Sequence, residues 1–98
     1  MPQTHTQASR HIAYAQRERL AFIEVRSYFY GDLTRAHIEE RFGVKPAASA
    51  RDLIAYRDIA PDNLRYNAAQ RCYQPTASFQ PVFAHTPAHV LNWFRTGS

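Results

Sequence analysis

Apolar residues recur at helical spacing from about Ser9 to Tyr30, and a charged triplet at 17–19 interrupts them. The pattern predicts either one long helix or a short helix followed by a longer one. Because a helix with two apolar stripes must bury both, we expect one stripe in the domain core and the other against a further surface. The stripes lie along the second half of this segment and consist of Leu20, Ile23 and Tyr30, and of Phe22, Val25 and Phe29.

A second, shorter helix is predicted from about Thr34 to Phe42. Thr34 is a good N-cap residue, because its side-chain oxygen can accept a hydrogen bond from an unpaired backbone amide. Leu33 and Ile38 have the spacing of a hydrophobic staple around this cap. Gly43 follows the last turn, at the position where a left-handed residue commonly ends a helix.

A third helix is predicted from Pro46 to about Ile59. Proline suits the first turn of a helix, where its missing N–H costs nothing, and Pro61 stops the helix beyond its last turn. The helical period divides this segment into two faces. We expect Ser49, Leu53 and Tyr56 on one face, with Ile59 near its edge, and Ala47, Ala50, Arg51 and Ile54 largely on the other.

Two short segments with alternating aromatic residues follow, Leu64–Asn67 and Arg71–Gln74, joined by the link at 68–70. This alternation predicts a β-hairpin. An extended stretch and a last apolar helix, from about Pro87 to Arg95, complete the predicted elements.

The order of elements is that of a winged helix-turn-helix, so we predict a fold that is mainly α with a small β-hairpin. In this architecture the second helix braces the third, which can then enter the major groove of DNA. We divide the chain into three parts. They are 1–16, a flexible leader and N-terminal helix; 17–81, the winged helix-turn-helix DNA-binding domain; and 82–98, a linker and helix that serves dimerisation or begins a downstream domain.

The composition fits one small domain and narrows the range of partners. The chain has 98 residues, of which 45% are hydrophobic, and this is enough apolar material for a single core. No apolar run approaches the ~20 residues that cross a bilayer, so no membrane partner is expected. The lone cysteine, Cys72, cannot form an internal disulfide, and we expect a reducing, cytoplasmic setting. The formal net charge of +4 and the pI near 9.6 favour a polyanionic partner.

The third helix and the hairpin carry most of the residues that we expect to contact double-stranded DNA. Small side chains near the start of the helix allow close approach to base edges, and arginine can bind guanine through two parallel hydrogen bonds. Basic side chains on the second helix, before the third helix and on the hairpin suit phosphate contacts. The predicted DNA-binding residues are Arg35, Lys45, Ala47, Ser49, Ala50, Arg51, Arg65, Asn67 and Arg71, although Ser49 can instead turn inward.

Other chemistry finds little support in the sequence. The common nucleotide-binding and hydrolase motifs are absent, so we expect no catalytic residue, no cofactor and no enzyme activity. His85 and His89 have a spacing that can hold zinc on a helix, but Pro87 lies between them and no third ligand is evident, so no metal site is expected. The alternative function is a protein–protein interaction module of the same fold that does not bind DNA.

Several segments resemble the start of the WYL-domain transcriptional regulators, in particular the branch that represses bacterial phage-defence and DNA-damage-response operons. The most distinctive is APDNLRY at 60–66. The full set spans most of the chain and consists of Arg19–Glu24, Gly31–Arg35, Arg41–Val44, Ala50–Tyr56, Ala60–Asn67, Arg71–Tyr73 and Phe79–Pro81.

This resemblance implies a homodimeric repressor, located at the bacterial nucleoid, whose winged helix-turn-helix binds an inverted-repeat operator. In that family a WYL domain follows, which binds a nucleic-acid-derived or nucleotide ligand, and then a C-terminal dimerisation extension. The sequence stops at Ser98, so we expect a fragment of a longer protein or a short relative, and we assign it no small-molecule ligand. Asn67 stands where that family has an acidic residue after the tyrosine of the wing.

The apolar residues in excess of one three-helix core predict self-association, because large apolar surface patches usually mark interfaces. We expect a two-fold dimer built from the N-terminal helix and the helix at 87–95, unless these residues pack on a downstream domain. The predicted dimerisation residues are Phe22, Phe29, Val90, Leu91, Trp93 and Phe94.

Overall fold

A computed structural model describes residues 13–83 and shows three helices followed by a two-stranded sheet. The order confirms the predicted winged helix-turn-helix, which is mainly α with a small hairpin. The first ten residues and the helix expected at 87–95, with its predicted dimerisation residues, lie outside the described residues. The helices are α1 (Tyr14–Tyr30), α2 (Arg35–Phe42) and α3 (Pro46–Ile59), and the strands are β1 (Leu64–Asn67) and β2 (Cys72–Pro75).

Helix α1 runs without a break through the charged residues at 17–19, so the described part of the N-terminal pattern is one helix. It ends at Gly31, whose backbone is left-handed with φ 67°. The Gly31 N–H donates to the carbonyl of Ser27 at 3.0 Å and closes the last turn. Glycine adopts this conformation without the steric penalty that a side chain would bring.

The two apolar stripes of α1 are both buried over most of their length. Leu20 and Ile23 are fully buried, and Phe22 is only 3% exposed. The Phe22 ring packs edge-to-face on Phe42 of α2, with ring centroids 5.4 Å apart. The prediction of Phe22 as a dimerisation residue is therefore wrong, because α2 already covers the Phe22 ring. At the end of the helix the environment changes, and Phe29 is 65% exposed.

Helix α2 begins and ends at the predicted residues. The Thr34 side chain accepts a hydrogen bond from the His37 N–H at 3.3 Å, and the His37 ring accepts one from the Thr34 N–H at 3.1 Å, which closes a reciprocal capping box. Leu33 and Ile38, the predicted staple, are both fully buried. Gly43, with φ 66°, supplies the left-handed residue that ends the helix.

Helix α3 has the predicted bounds, and its two faces divide as predicted. Leu53 and Tyr56 are buried against the rest of the domain, whereas Ala47, Arg51 and Ile54 are exposed. The helix therefore presents one complete face to solvent while the opposite face completes the core.

Ser49 lies on the buried face of α3, and its prediction as a DNA-binding residue is wrong. Its side chain is fully buried. The Ser49 hydroxyl donates to the carboxylate of Glu39 in α2, and its oxygen lies 3.0 Å from the carbonyl oxygen of Pro46. The hydroxyl is thus used to fix α3 against α2.

The hairpin is antiparallel, with Leu64 opposite Pro75. Its second strand begins one residue later than predicted, because Arg71 belongs to the turn and has a left-handed backbone with φ 57°. Leu33 forms an isolated antiparallel bridge with Tyr73, through N–H···O distances of 3.1 and 2.8 Å. This hairpin, residues 64–75, is the wing of the fold, and it is therefore attached to the residue that directly precedes the N-cap of α2.

A buried ion pair joins α1 to α3. The Asp52 side chain is 1% exposed, and Arg19 donates to its two oxygens from Nε at 2.6 Å and from Nη2 at 3.2 Å. Gln16 donates to the same carboxylate at 3.2 Å. Because two parallel hydrogen bonds constrain both distance and orientation, this pair fixes the rotation of α3 about its own axis.

A second buried carboxylate, Glu24 of α1, joins three parts of the domain. It accepts hydrogen bonds from the Tyr56 hydroxyl at 2.8 Å and from the backbone N–H groups of Val82 and Phe83 at 2.7 and 3.0 Å. Asn63 donates in turn to the Tyr56 hydroxyl at 3.0 Å. Burial raises the pKa of this hydroxyl, which therefore keeps its proton and remains a donor.

We predict that Tyr56→Phe lowers the free energy of unfolding by about 1–3 kcal/mol, because it removes a donor from a buried carboxylate. Urea denaturation followed by circular dichroism measures this loss. The matched control is Tyr14→Phe, which removes the same hydroxyl from a side chain that is 73% exposed. The control is expected to change stability by less than about 0.5 kcal/mol. Equal stability of the two variants would contradict the role given to the Tyr56–Glu24 hydrogen bond.

Candidate nucleic-acid interface

The outward face of α3 combines small side chains with one long cation. Ala47 and Arg51 are exposed four residues apart, and Ala50 is half-buried beside them. Alanine allows the helix backbone to come close to base edges, while an arginine reaches the paired acceptors of guanine in the major groove. Ile54 continues this face and is 64% exposed.

The start of α3 is electropositive for two reasons. Lys45, the N-cap residue, is exposed and makes no capping hydrogen bond with its side chain. The N-terminus of a helix also carries a partial positive charge from its aligned peptide dipoles. Both features suit a phosphate group near residue 45.

A cavity of about 420 Å³ separates the start of α2 from the wing. Arg35 and Arg71, both exposed, stand on its two sides. Glu39 contributes an acidic group to the lining, but its carboxylate accepts the hydrogen bond from the Ser49 hydroxyl. The remaining lining residues are Thr34, Ala36, Tyr66 and Tyr73.

The wing presents its basic residues outward and uses Asn67 for its own turn. The Asn67 side chain accepts from the Gln70 N–H at 3.0 Å and donates to the Gln74 side chain at 3.1 Å. Arg65 and Arg71 are exposed on either side of this turn. The arginines are thus available for DNA contacts, whereas the Asn67 amide already holds the two strands together.

Among residues 13–83, Arg19 and Arg26 differ in their surroundings from the basic residues that are predicted to contact DNA. The ion pairs found within residues 13–83 engage Arg19 with Asp52 and Arg26 with Asp32, on the α1 side of the domain. In contrast, the basic residues predicted to contact DNA project into solvent from α2, α3 and the wing. They are Arg35, Lys45, Arg51, Arg65 and Arg71.

Two residues of this surface were absent from the predicted set. Ile54 lies three residues after Arg51 and on the same face, so its helical spacing alone could have included it. Tyr66 is 50% exposed on β1 and stacks edge-to-face on Tyr73, with ring centroids 4.9 Å apart. The alternation of residues along a hairpin does not show which of its aromatic side chains face the cavity between α2 and the wing.

The cap of α2 depends on a histidine with a lowered pKa. The His37 ring places Nδ1 3.1 Å from the Thr34 N and Nε2 3.2 Å from Nη2 of Arg26. Burial, followed by the nearby charge of Arg26, lowers the pKa of His37 below its usual 6.5. The neutral ring can accept a hydrogen bond, and the protonated ring cannot.

Two further properties concern residues 13–83 alone. No helix in this part of the chain is both long enough and apolar enough to cross a membrane. The same residues contain no group of three or more histidine, cysteine, aspartate or glutamate side chains arranged to hold a metal ion. His85 and His89 lie outside the described residues.

Comparison with known proteins gives a consistent result. The chain matches the family model of the BrxR transcriptional regulator winged helix-turn-helix domain over residues 15–96. It is 37% identical over 70 residues to a protein of Escherichia coli strain KTE188 named DNA-binding transcriptional repressor CapW. The aligned residues cover 71% of this chain and 23% of that relative.

Proteins with the same name from other bacteria match the chain over similar lengths. The chain is 33% identical over 70 residues to that of Pseudomonas aeruginosa, covering 71% of this chain and 23% of the relative. It is 32% identical over 77 residues to that of Stenotrophomonas maltophilia, covering 79% and 26%. The chain therefore spans about a quarter of the length of the curated relatives that it matches.

We predict that acid weakens the domain through His37. Its pKa is lower in the folded than in the unfolded chain, so the unfolded state takes up the proton first. Stability is complete above the unfolded pKa of about 6.5 and is lost as the pH falls through the folded pKa, below which the loss levels off. His37→Gln keeps an acceptor for the Thr34 N–H but does not titrate.

Urea denaturation of both proteins between about pH 7.5 and pH 5.5 measures the effect. The variant is expected to lose less stability over this interval than the wild-type protein. Parallel pH profiles would show that protonation of His37 does not weaken the cap.

Proposed function

Since the chain belongs to the family of BrxR transcriptional regulator winged helix-turn-helix domains, we propose that it is the sequence-specific, double-stranded-DNA-binding part of a transcriptional repressor. The observation that carries this proposal is the outward face of α3, with Ala47, Ala50 and Arg51 at its centre and Arg35 and Arg71 on its flank. Both the family and the relatives favour DNA binding over the protein-interaction alternative.

The N-terminal half of α3 would enter the major groove, which is ~12 Å wide and accepts one helix. Arg51 would donate two hydrogen bonds to a guanine, while Ala47 and Ala50 allow the backbone to approach. Lys45 and the start of α3 would contact a phosphate of one strand. The cavity between α2 and the wing supports a second phosphate contact, shared by Arg35 and Arg71.

Beyond the domain itself, we propose a homodimer that binds an inverted repeat in the bacterial cytoplasm. The exposed Phe29 supports a dimer surface on α1. Val90, Leu91, Trp93 and Phe94 would add to it. The resemblance to WYL-domain regulators further supports a role in controlling phage-defence operons, in a protein whose other domains would bind the inducing ligand.

We predict that Arg51→Ala weakens binding to a specific duplex by about 1–3 kcal/mol, because it loses two hydrogen bonds to a base. The duplex is first selected from a random-sequence pool with the wild-type chain. Fluorescence anisotropy then compares the selected duplex with a scrambled duplex of the same composition. The loss is expected on the selected duplex and not on the scrambled one.

Two arginine variants serve as controls for this prediction. Arg71→Ala should weaken both duplexes alike and flatten the salt dependence by about one ion, as loss of a phosphate contact does. Arg17→Ala removes the same charge from α1, where the guanidinium lies over the Phe83 ring at 5.2 Å, and should change neither affinity appreciably. A wild-type chain that prefers no sequence would instead support the protein-interaction alternative.

The dimer is tested by sedimentation velocity at micromolar concentration. We predict that Phe29→Ser and Trp93→Ala each raise the dimer dissociation constant by at least about tenfold, as expected for aromatic residues central to an interface. The matched control, Tyr14→Ser, removes an aromatic ring that is 73% exposed at the other end of α1. A wild-type monomer at all concentrations tested would refute the proposed dimer.

A further inference from the structure

Ile54 is an aliphatic side chain on the surface of α3 that the fold does not use. It is 64% exposed, whereas the inward neighbours Leu53 and Tyr56 are buried. Burying an isoleucine typically stabilises a protein by about 1.5–3 kcal/mol. In the isolated domain Ile54 stays exposed and gains little of this stabilisation, so packing in the core does not explain an aliphatic residue at this position.

The position of Ile54 on the helix places it within the proposed DNA-binding face. Ala47, Arg51 and Ile54 follow one another at spacings of four and three residues, so they share one side of α3. Ala50, four residues before Ile54, is small and half-buried and leaves the Ile54 side chain unobstructed towards the N-terminus. Side chains on a helix lean in that direction, so Ile54 covers the surface above Ala50.

The distance along the helix agrees with contact in the groove. Ile54 lies eight residues after Pro46, or about 12 Å along the axis, within the first two to three turns. Asp58 follows one turn later on the same side and is exposed. A carboxylate there would be repelled by DNA phosphates, so the groove-facing part of α3 ends near Ile54.

From these observations we propose that Ile54 determines sequence specificity by contacting the C5-methyl group of a thymine close to the guanine that Arg51 binds. The methyl group is the apolar feature that thymine presents in the major groove, and apolar side chains are its natural partners. Alanine at residues 47 and 50 brings the helix close enough for van der Waals contact. The inference rests on the proposed function, since it requires α3 to occupy the major groove.

The test removes the methyl group from the DNA and its partner from the protein separately. Each thymine of the duplex selected with the wild-type chain is replaced in turn by deoxyuridine, which lacks only the C5-methyl group. Wild-type affinity is expected to fall about three- to fivefold at one position, the effect of losing one buried methyl contact. Ile54→Ala should bind the unmodified duplex more weakly by a similar factor and be insensitive to deoxyuridine at that position.

Two further variants make the result specific to Ile54. Ile54→Val keeps a branched aliphatic side chain and should retain part of the sensitivity to deoxyuridine. Arg51→Ala should bind more weakly overall but remain sensitive, because its partner is a different base. Since the Ile54 side chain is exposed, none of the Ile54 variants is expected to lower the stability of the domain measurably.

The outcomes separate this inference from the proposed function. A wild-type chain that selects no sequence refutes both. A chain that selects a duplex but shows no loss with deoxyuridine, or the same loss in Ile54→Ala, overturns the role of Ile54 and leaves DNA binding intact. The role of Ile54 is likewise overturned if the selected duplex has no thymine at any position where a base change weakens binding.

Discussion

The buried carboxylate of Glu24 is the interaction on which the arrangement of the domain depends. An ionised carboxylate is costly to bury unless hydrogen bonds replace its water, and here the donors come from separate parts of the chain. One is the Tyr56 hydroxyl of α3, and two are the backbone N–H groups of Val82 and Phe83, which follow the hairpin. None of these parts can move away from α1 without leaving charge unsatisfied. A single side chain therefore fixes both the position of α3 and the path of the chain that follows the hairpin.

The distribution of charge follows from the same constraint. The inward carboxylates of α1 and α3 are matched locally, Glu24 by hydroxyl and amide donors and Asp52 by Arg19. The basic side chains predicted to contact DNA take no part in these interactions and are exposed to solvent. Five exposed cations, Arg35, Lys45, Arg51, Arg65 and Arg71, therefore lie on α2, at the start of and along α3, and on the wing. Exposed cations attract a polyanion before any direct contact forms.

Local signals in the sequence were enough to predict the helices and strands of residues 13–83, and tertiary partners explain what those signals missed. Thr34, Gly43 and Pro46 each act on their own backbone or on the backbone of residues a few positions away. The bounds of α2 and α3 can therefore be predicted from the local sequence. Ser49 was assigned to the DNA surface because it is small, but its partner Glu39 lies on another helix and no local pattern reveals it. The prediction that Phe22 lies on a dimer surface fails in the same way, because the ring that covers it, Phe42, belongs to α2. The hydrogen bonds of Glu24 extend over more than thirty residues in sequence, beyond any periodicity.

The outward face of α3 is free to change because the inward face carries all the constraints. Leu53 and Tyr56 hold the helix through packing and hydrogen bonds, and Asp52 sets its rotation through Arg19. Arg51 and Ile54 lie between these residues in sequence but point the opposite way, and no core contact depends on them. If α3 binds DNA as proposed, substitutions at the outward positions would alter which DNA sequence is bound at little cost in stability. One fold with a fixed inner face can in this way serve repressors with different operators, with specificity determined by a few exposed side chains.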